Sequence, residues 1–163
     1  MKQILKVQSL KKYFPVYGGL LSRIIGHVKA VDDVSFEIKR CEILGMVGES
    51  GCGKTTVGRM TLRLLEPTAG KVFFEDTDLF SLKRKEMAMT RREMQIIFQD
   101  PYSSLNPRFT VEKIIGEALS VHDIAQGNDL RKKIEMLMEK VGLSKRYLNR
   151  FPHEFSGGQR QRV

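Results

Sequence analysis

The stretch Gly48-Glu49-Ser50-Gly51-Cys52-Gly53-Lys54-Thr55-Thr56 constrains this chain more than any other. It matches G-x-x-x-x-G-K-[ST], a phosphate-binding loop that has meaning only between a strand and a helix. The run before it, Ile43-Leu44-Gly45-Met46-Val47, is short and apolar, which predicts a buried parallel strand. The run after it, Thr55 to Leu65, lacks proline and carries Val57, Met60 and Leu64 at helical spacing. Glycines let the backbone wrap closely around phosphates with its N–H groups pointing inward. The helix N-terminus adds partial positive charge at the same point. In such a loop Lys54 reaches the β- and γ-phosphates, and the Thr55 hydroxyl ligates Mg²⁺.

The length of 163 residues suits a domain of ordinary size, and 41% hydrophobic content is that of a globular chain. Cys41 and Cys52 form no C-x-x-C pair and make no disulfide framework, so a reducing cytosol is the simplest fit. The opening Met1-Lys2-Gln3-Ile4-Leu5-Lys6 has no signal-peptide core, and no run approaches the ~18 apolar residues of a membrane span. A net charge of +9 invites a nucleic-acid reading. The basic residues are scattered, however, and no aromatics interleave Lys83 to Arg92 as a single-strand platform needs, so no nucleic-acid partner is expected. His27, His122 and His153 lack metal-ligand spacing.

Ile4 to Gln8, Leu10 to Phe14, Val34 to Lys39 and Lys71 to Glu75 read as strands, with a loop from Pro15 to His27. Leu82 to Arg92 reads as a short helix and Met94 to Phe98 as a buried strand. Gln99 to Arg108, with Pro101 and Pro107, is a structured loop. Thr110 reads as the N-cap of a helix whose stripe is Val111, Ile114, Ile115, Ala118 and Leu119. Gly127 to Asp129 reads as a turn, and Ile134, Leu137, Met138 and Val141 form a second stripe, closed near Gly142.

Near the end stands a second glycine motif, Phe155-Ser156-Gly157-Gly158-Gln159-Arg160-Gln161-Arg162. With it, and with Gln99 between the two glycine motifs, the sequence resembles the ATP-binding-cassette (ABC) ATPases, whose signature is L-S-G-G-Q. The resemblance covers the whole chain. Val28 to Asp32, Gln99 to Arg108, and Pro152 to Arg162 narrow it to the oligopeptide/dipeptide importer ATPases.

The resemblance implies an α/β fold: a P-loop NTPase (ABC ATPase) core with an antiparallel β subdomain and a helical subdomain, incomplete at the C-terminus. Residues 1–98 would form the nucleotide-binding RecA-like core and its β subdomain. Residues 99–163 would carry the Q-loop, helical subdomain and signature. It implies ATP and Mg²⁺, with Gly48, Glu49, Ser50, Gly51, Cys52, Gly53, Lys54, Thr55 and Thr56 (the Walker A motif) on the nucleotide. Tyr13 would stack on adenine. Gln99 would ligate Mg²⁺ with Thr55, or hold the attacking water. Ser156, Gly157, Gly158 and Gln159 would cap the γ-phosphate held by a second ABC ATPase subunit, in a homo- or heterodimer. The other implied partners are transmembrane permease subunits, which places the chain on the cytoplasmic face of the membrane.

In the family, the Walker B strand with its Asp and catalytic Glu, and the switch His, follow the signature helix; here only Arg160 to Val163 follow Gln159. Loss of a general base commonly costs about 10²–10⁴ in rate. The isolated chain is therefore expected to bind nucleotide, to hydrolyse it poorly, and to be marginally stable or self-associating because Ile43 to Val47 would present an apolar edge. Three readings follow: an importer ATPase, an ATP-binding module without hydrolysis, and, disfavoured by the Asn106-Pro107-Arg108 loop, a soluble ABC protein acting on nucleic acid. Cys41 stands where the family usually has Gly, at about 1–2 kcal/mol if the position needs positive φ.

Overall fold

A computed structural model describes residues 2–19, 22–98 and 104–163, which fall into two units, Met1–Arg91 and Arg92–Val163. In the first unit β1 (Gln3–Gly18) pairs antiparallel with β2 (Arg23–Lys39) on one side and β3 (Ala69–Phe74) on the other, and β4 (Thr77–Asp78) pairs with β3. The sheet order is β2-β1-β3-β4. Val7 sets the register, facing Phe36 on one side and Val72 on the other. Val7, Leu10, Val31 and Val72 are buried; the irregularity between Val7 and Leu10, where Ser9 is left-handed at φ 44°, brings both of these onto the core face. Helix α1 (Lys54–Thr61) adds Val57 and Met60 to this core. It ends at Leu62, before Arg63 turns left-handed at φ 48°. The Arg63 guanidinium then donates to the carbonyls of Leu79 (2.8 Å) and Leu82 (2.7 Å), fixing the approach to α2 (Arg84–Thr90).

Three local expectations are corrected. The segment from Pro15 to His27 is not a loop: the ends of β1 and β2 form a hairpin, with Pro15 opposite His27 and Tyr17 opposite Ile24. Pairing of β1 with β3 extends only to Lys11 and Ala69, so Pro15 lies in a two-stranded ribbon, where the missing N–H disrupts no central ladder. The ribbon runs beyond the sheet, which leaves Tyr17, Ile24, Ile25 and Val28 exposed. Second, Ile43 to Val47 joins no ladder among the described residues, and Ile43 is 97% and Val47 95% exposed. Met94 to Phe98 behaves alike, with Ile97 95% exposed. A parallel strand needs neighbours on its edges and layers on its faces, and among the described residues these two runs have no strand beside them. Third, Gly127 opens a helix rather than making a turn.

The second unit is helical. Helix α3 (Val111–Val121) starts where the Thr110 hydroxyl accepts from the Lys113 N–H at 3.4 Å, the expected N-cap. Helix α4 (Gly127–Lys140) packs against it, with Ile134 Cδ1 within 3.2 Å of where a Cβ on Gly116 would lie. Gly142, at φ 70°, follows its end as expected. Short 3₁₀ turns at Lys145–Tyr147 and Pro152–Glu154 lead to α5 (Gly157–Arg160). Val111, Leu119, Ile134, Met138, Leu143, Leu148 and Phe155 make one closed cluster. Tyr147 meets Phe155 edge to face, with centroids 5.5 Å apart.

Two outcomes test these packing arguments. Cys41 sits at φ 62°, so Cys41→Gly relieves left-handed strain at some cost in chain entropy. Chemical denaturation should show a gain of about 0.5–1 kcal/mol. Phe155→Ala should cost about 3–5 kcal/mol, and Phe155→Leu less than about 1.5 kcal/mol, in the same measurement.

Candidate functional site

The glycine loop is shaped by one close approach. Gly53, the residue before α1, has φ 96°, and a Cβ built on it would lie 2.2 Å from the Ala30 carbonyl oxygen of β2. No side chain fits there, and backbone cannot move aside as a flexible side chain could. Val31 of the same strand closes the contact, its Cγ2 being 3.4 Å from that position. Gly51 is also left-handed, at φ 82°. The Cys52 N–H donates to the Glu49 carbonyl (3.3 Å), and the Val57 N–H to Gly53 (2.9 Å), so the loop runs directly into the helix.

Lys54 folds over the loop. Its ammonium donates to the carbonyls of Gly48 and Glu49, both at 2.6 Å, and lies 3.5 Å from the Cys52 sulfur. Ser50 and Thr55 are exposed, and Thr56 is half-buried. The first turn of α1 carries no acidic residue, so nothing there offsets the positive end of the helix. Beneath the loop, an apolar cavity of about 240 Å³ is lined by Leu5, Ile38, Leu44, Met46 and Val57.

Tyr13 lies on β1 opposite Lys29 of β2. Its hydroxyl donates to the Asp32 carboxylate, while the Lys29 ammonium donates to the other Asp32 oxygen at 3.1 Å. The same ammonium stands 5.4 Å from the Tyr13 ring centroid. The Tyr13 N–H donates to the Thr68 hydroxyl at 2.9 Å. The hydrogen bond to Asp32 raises the Tyr13 phenol above 10.0. The bonds from Tyr13 and then Lys29 hold Asp32 below 3.8, and the bond to Asp32 raises Lys29 above 10.5. Sequence reading gave Asp32 and Lys29 no role of their own. The signal was present in the i, i+3 spacing of Lys29 and Asp32 and the facing register of Tyr13.

The second glycine motif belongs to the helical unit. Buried Phe155 anchors it, and Ser156 then emerges at the surface. The Ser156 N–H donates to the Gln159 side chain at 3.1 Å, and Arg160 Nε to the Phe155 carbonyl at 3.1 Å. Gly157 is the first residue of α5. Nothing in the described chain lies within 4 Å of a Cβ built on Gly158. Internal packing therefore does not demand glycine at that position. Gln99 lies outside the described residues, as do Asp100 to Ser103.

The Asp32 cluster has an acid-side signature. Because its folded value is lowered, charged Asp32 contributes stability above about 3.8, and that contribution is lost as pH falls through the lower folded value. The stability difference between the wild type and Asp32→Asn should therefore shrink toward zero on acidification through this window. Urea unfolding at stepped pH reads it, and a difference independent of pH would refute the pairing.

Comparison with known proteins places this geometry. The ABC transporter family matches residues 31–163. The oligopeptide transport ATP-binding protein AppF of Bacillus subtilis (strain 168) is 47% identical over 161 residues, covering 98% of this chain and 49% of its own length. OppF of the same strain, also an oligopeptide transport ATP-binding protein, is 49% identical over 164 residues, covering 99% of this chain and 52% of its own. The glutathione import ATP-binding protein GsiA of Pectobacterium atrosepticum is 46% identical over 160 residues, 98% of this chain and 26% of its own. This chain thus spans about half the length of the two B. subtilis relatives. Among solved structures, a dimeric ATP-binding cassette in a post-hydrolysis state bound to ADP and Pi superposes with a TM-score of 0.75 at 26% identity, over 98% of this chain and 66% of that one. This chain belongs to the ABC transporter family and has the fold of its ATPase cassettes.

Proposed function

We propose that this chain is the ATP-binding part of an ABC importer for oligopeptides or dipeptides, coupling ATP binding and hydrolysis to transport. One observation carries the reading: a Walker A loop locked against β2 at Gly53 shares a chain with a signature whose Ser156 and Gly158 are exposed. The oligopeptide transport role of the B. subtilis relatives supplies the solute class.

The loop binds and orients a triphosphate. Phosphate oxygens lie along the N–H groups at the start of α1, and Lys54 contributes its ammonium to the β- and γ-phosphates. Thr55 presents a hard hydroxyl oxygen at the exposed helix entry and would hold Mg²⁺ there; the second expected ligand, Gln99, lies outside the described residues. Mg²⁺ there supplies charge neutralisation across the phosphates. Tyr13 offers its ring to the adenine base. The signature caps the nucleotide of a second ATPase subunit, and the crowd-free position of Gly158 leaves room for that approach.

The remaining partners are transmembrane permease subunits, with the cassette on the cytoplasmic face of the membrane. No helix among the described residues is long and apolar enough to cross a membrane itself.

Binding of a fluorescent ATP analogue with Mg²⁺ tests the reading. Lys54→Ala should weaken it at least about tenfold, through loss of a charge-assisted contact of about 1.5–3 kcal/mol. Unchanged binding in the variant refutes the site. Nucleic-acid binding with a steep salt dependence would favour a different function.

A further inference from the structure

We infer that Asp32 is a positioning residue of the nucleotide site: its carboxylate fixes the Tyr13 ring and so sets affinity for the adenine base and not for the phosphates. The inference rests on the proposed function. Asp32 bears on the ring directly at the hydroxyl and indirectly through Lys29. One oxygen takes the Tyr13 hydroxyl, and the other takes Lys29, whose ammonium stands over the same ring. An aromatic side chain has two torsions: the held hydroxyl and the Tyr13 N–H held by Thr68 fix the direction of the ring axis, and the Lys29 ammonium over one face bears on the ring plane. Lys29 occupies one face of the ring, and the base stacks on the other.

The placement of Asp32 links the ring to the phosphate grip. It follows directly on Ala30 and Val31, which close against Gly53. Four consecutive residues, Lys29 to Asp32, therefore hold both the aromatic and the entry of α1. Asp32 and Lys29 have side chains 43% and 61% exposed, and an exposed pair of this kind adds little to stability. Its geometry, with one oxygen on the Tyr13 hydroxyl and the other on the ammonium that stands over the Tyr13 ring, is that of an orienting contact.

The test measures Mg²⁺-ATP and inorganic tripolyphosphate binding to the chain and to Asp32→Ala, Asp32→Asn, Tyr13→Phe and the Asp32→Ala/Tyr13→Phe double variant. Loosening the base–aromatic stack, without abolishing it, should weaken ATP about three- to tenfold in Asp32→Ala. Tripolyphosphate affinity should not move. Asp32→Asn keeps an acceptor for the hydroxyl and should recover most of the loss. The double variant should be no weaker than the worse single variant, because both act through one contact.

A spectroscopic readout separates positioning from general damage. The tyrosinate absorbance that Tyr13→Phe removes should titrate above 10.0 in the wild type, where Asp32, Lys29 and Asp33 act on the hydroxyl, and lower in Asp32→Ala. Unchanged ATP affinity in Asp32→Ala, equal loss for both ligands, or fully additive variants each overturn the inference. A wild type that binds neither ligand removes the nucleotide reading and the inference with it. A wild type that binds tripolyphosphate as tightly as ATP keeps the phosphate loop and removes the inference alone.

Discussion

The contact between Gly53 and the Ala30 carbonyl is the constraint on which the first unit depends. It brings the last loop residue to a distance no side chain permits, so the loop cannot drift from β2. The start of α1 takes its position from that contact. Val57 and Met60 enter the core on the inward face of α1, while Lys54 and Thr55 remain at its outer end. A side chain at position 53 would damage loop and core together, because one backbone approach sets both.

The two units bury their apolar surface differently. In the helical unit the cluster around Ile134, Met138 and Phe155 is closed, and the signature is the segment that leaves it. Phe155 is held by packing, and the backbone then turns outward at Ser156. In the first unit the sheet and α1 share a core, but the run before the loop keeps Ile43 and Val47 outside it, over an apolar cavity lined by Leu44 and Met46. The glycine loop therefore meets β2 through Gly53, and among the described residues no ladder runs along Ile43 to Val47.

Motif chemistry was the most legible part of the sequence, because each motif is local. The loop-to-helix transition, the Thr110 cap, the end of α4 near Gly142 and the strain at Cys41 all follow from short-range sterics and hydrogen bonds. What failed depended on neighbours. Pro15 looked like a strand breaker, yet in a two-stranded ribbon its missing donor is tolerated. Ile43 to Val47 looked buried because apolar runs usually are, but burial needs layers that a run cannot specify for itself. Asp32 was missed for a related reason: its significance lies in a cross-strand register, and only pairing Tyr13 with Lys29 brings the three groups together.

The hydrogen bonds of Lys54 bear on how a phosphate would be received. An ammonium has three donors, and two are given to the carbonyls of Gly48 and Glu49. The third direction meets only the Cys52 sulfur at 3.5 Å, a weak acceptor. A phosphate oxygen is a far better acceptor than a thiol, so it can take that donor while the two carbonyl contacts stay in place. The loop is then shaped around its lysine before any ligand arrives, and less ordering cost falls on binding. The same carbonyls fix the direction of the ammonium, so the charge is oriented. Gly53 fixes the loop from behind and Lys54 from within. The α1 N–H groups between them are the part left free to meet an anion.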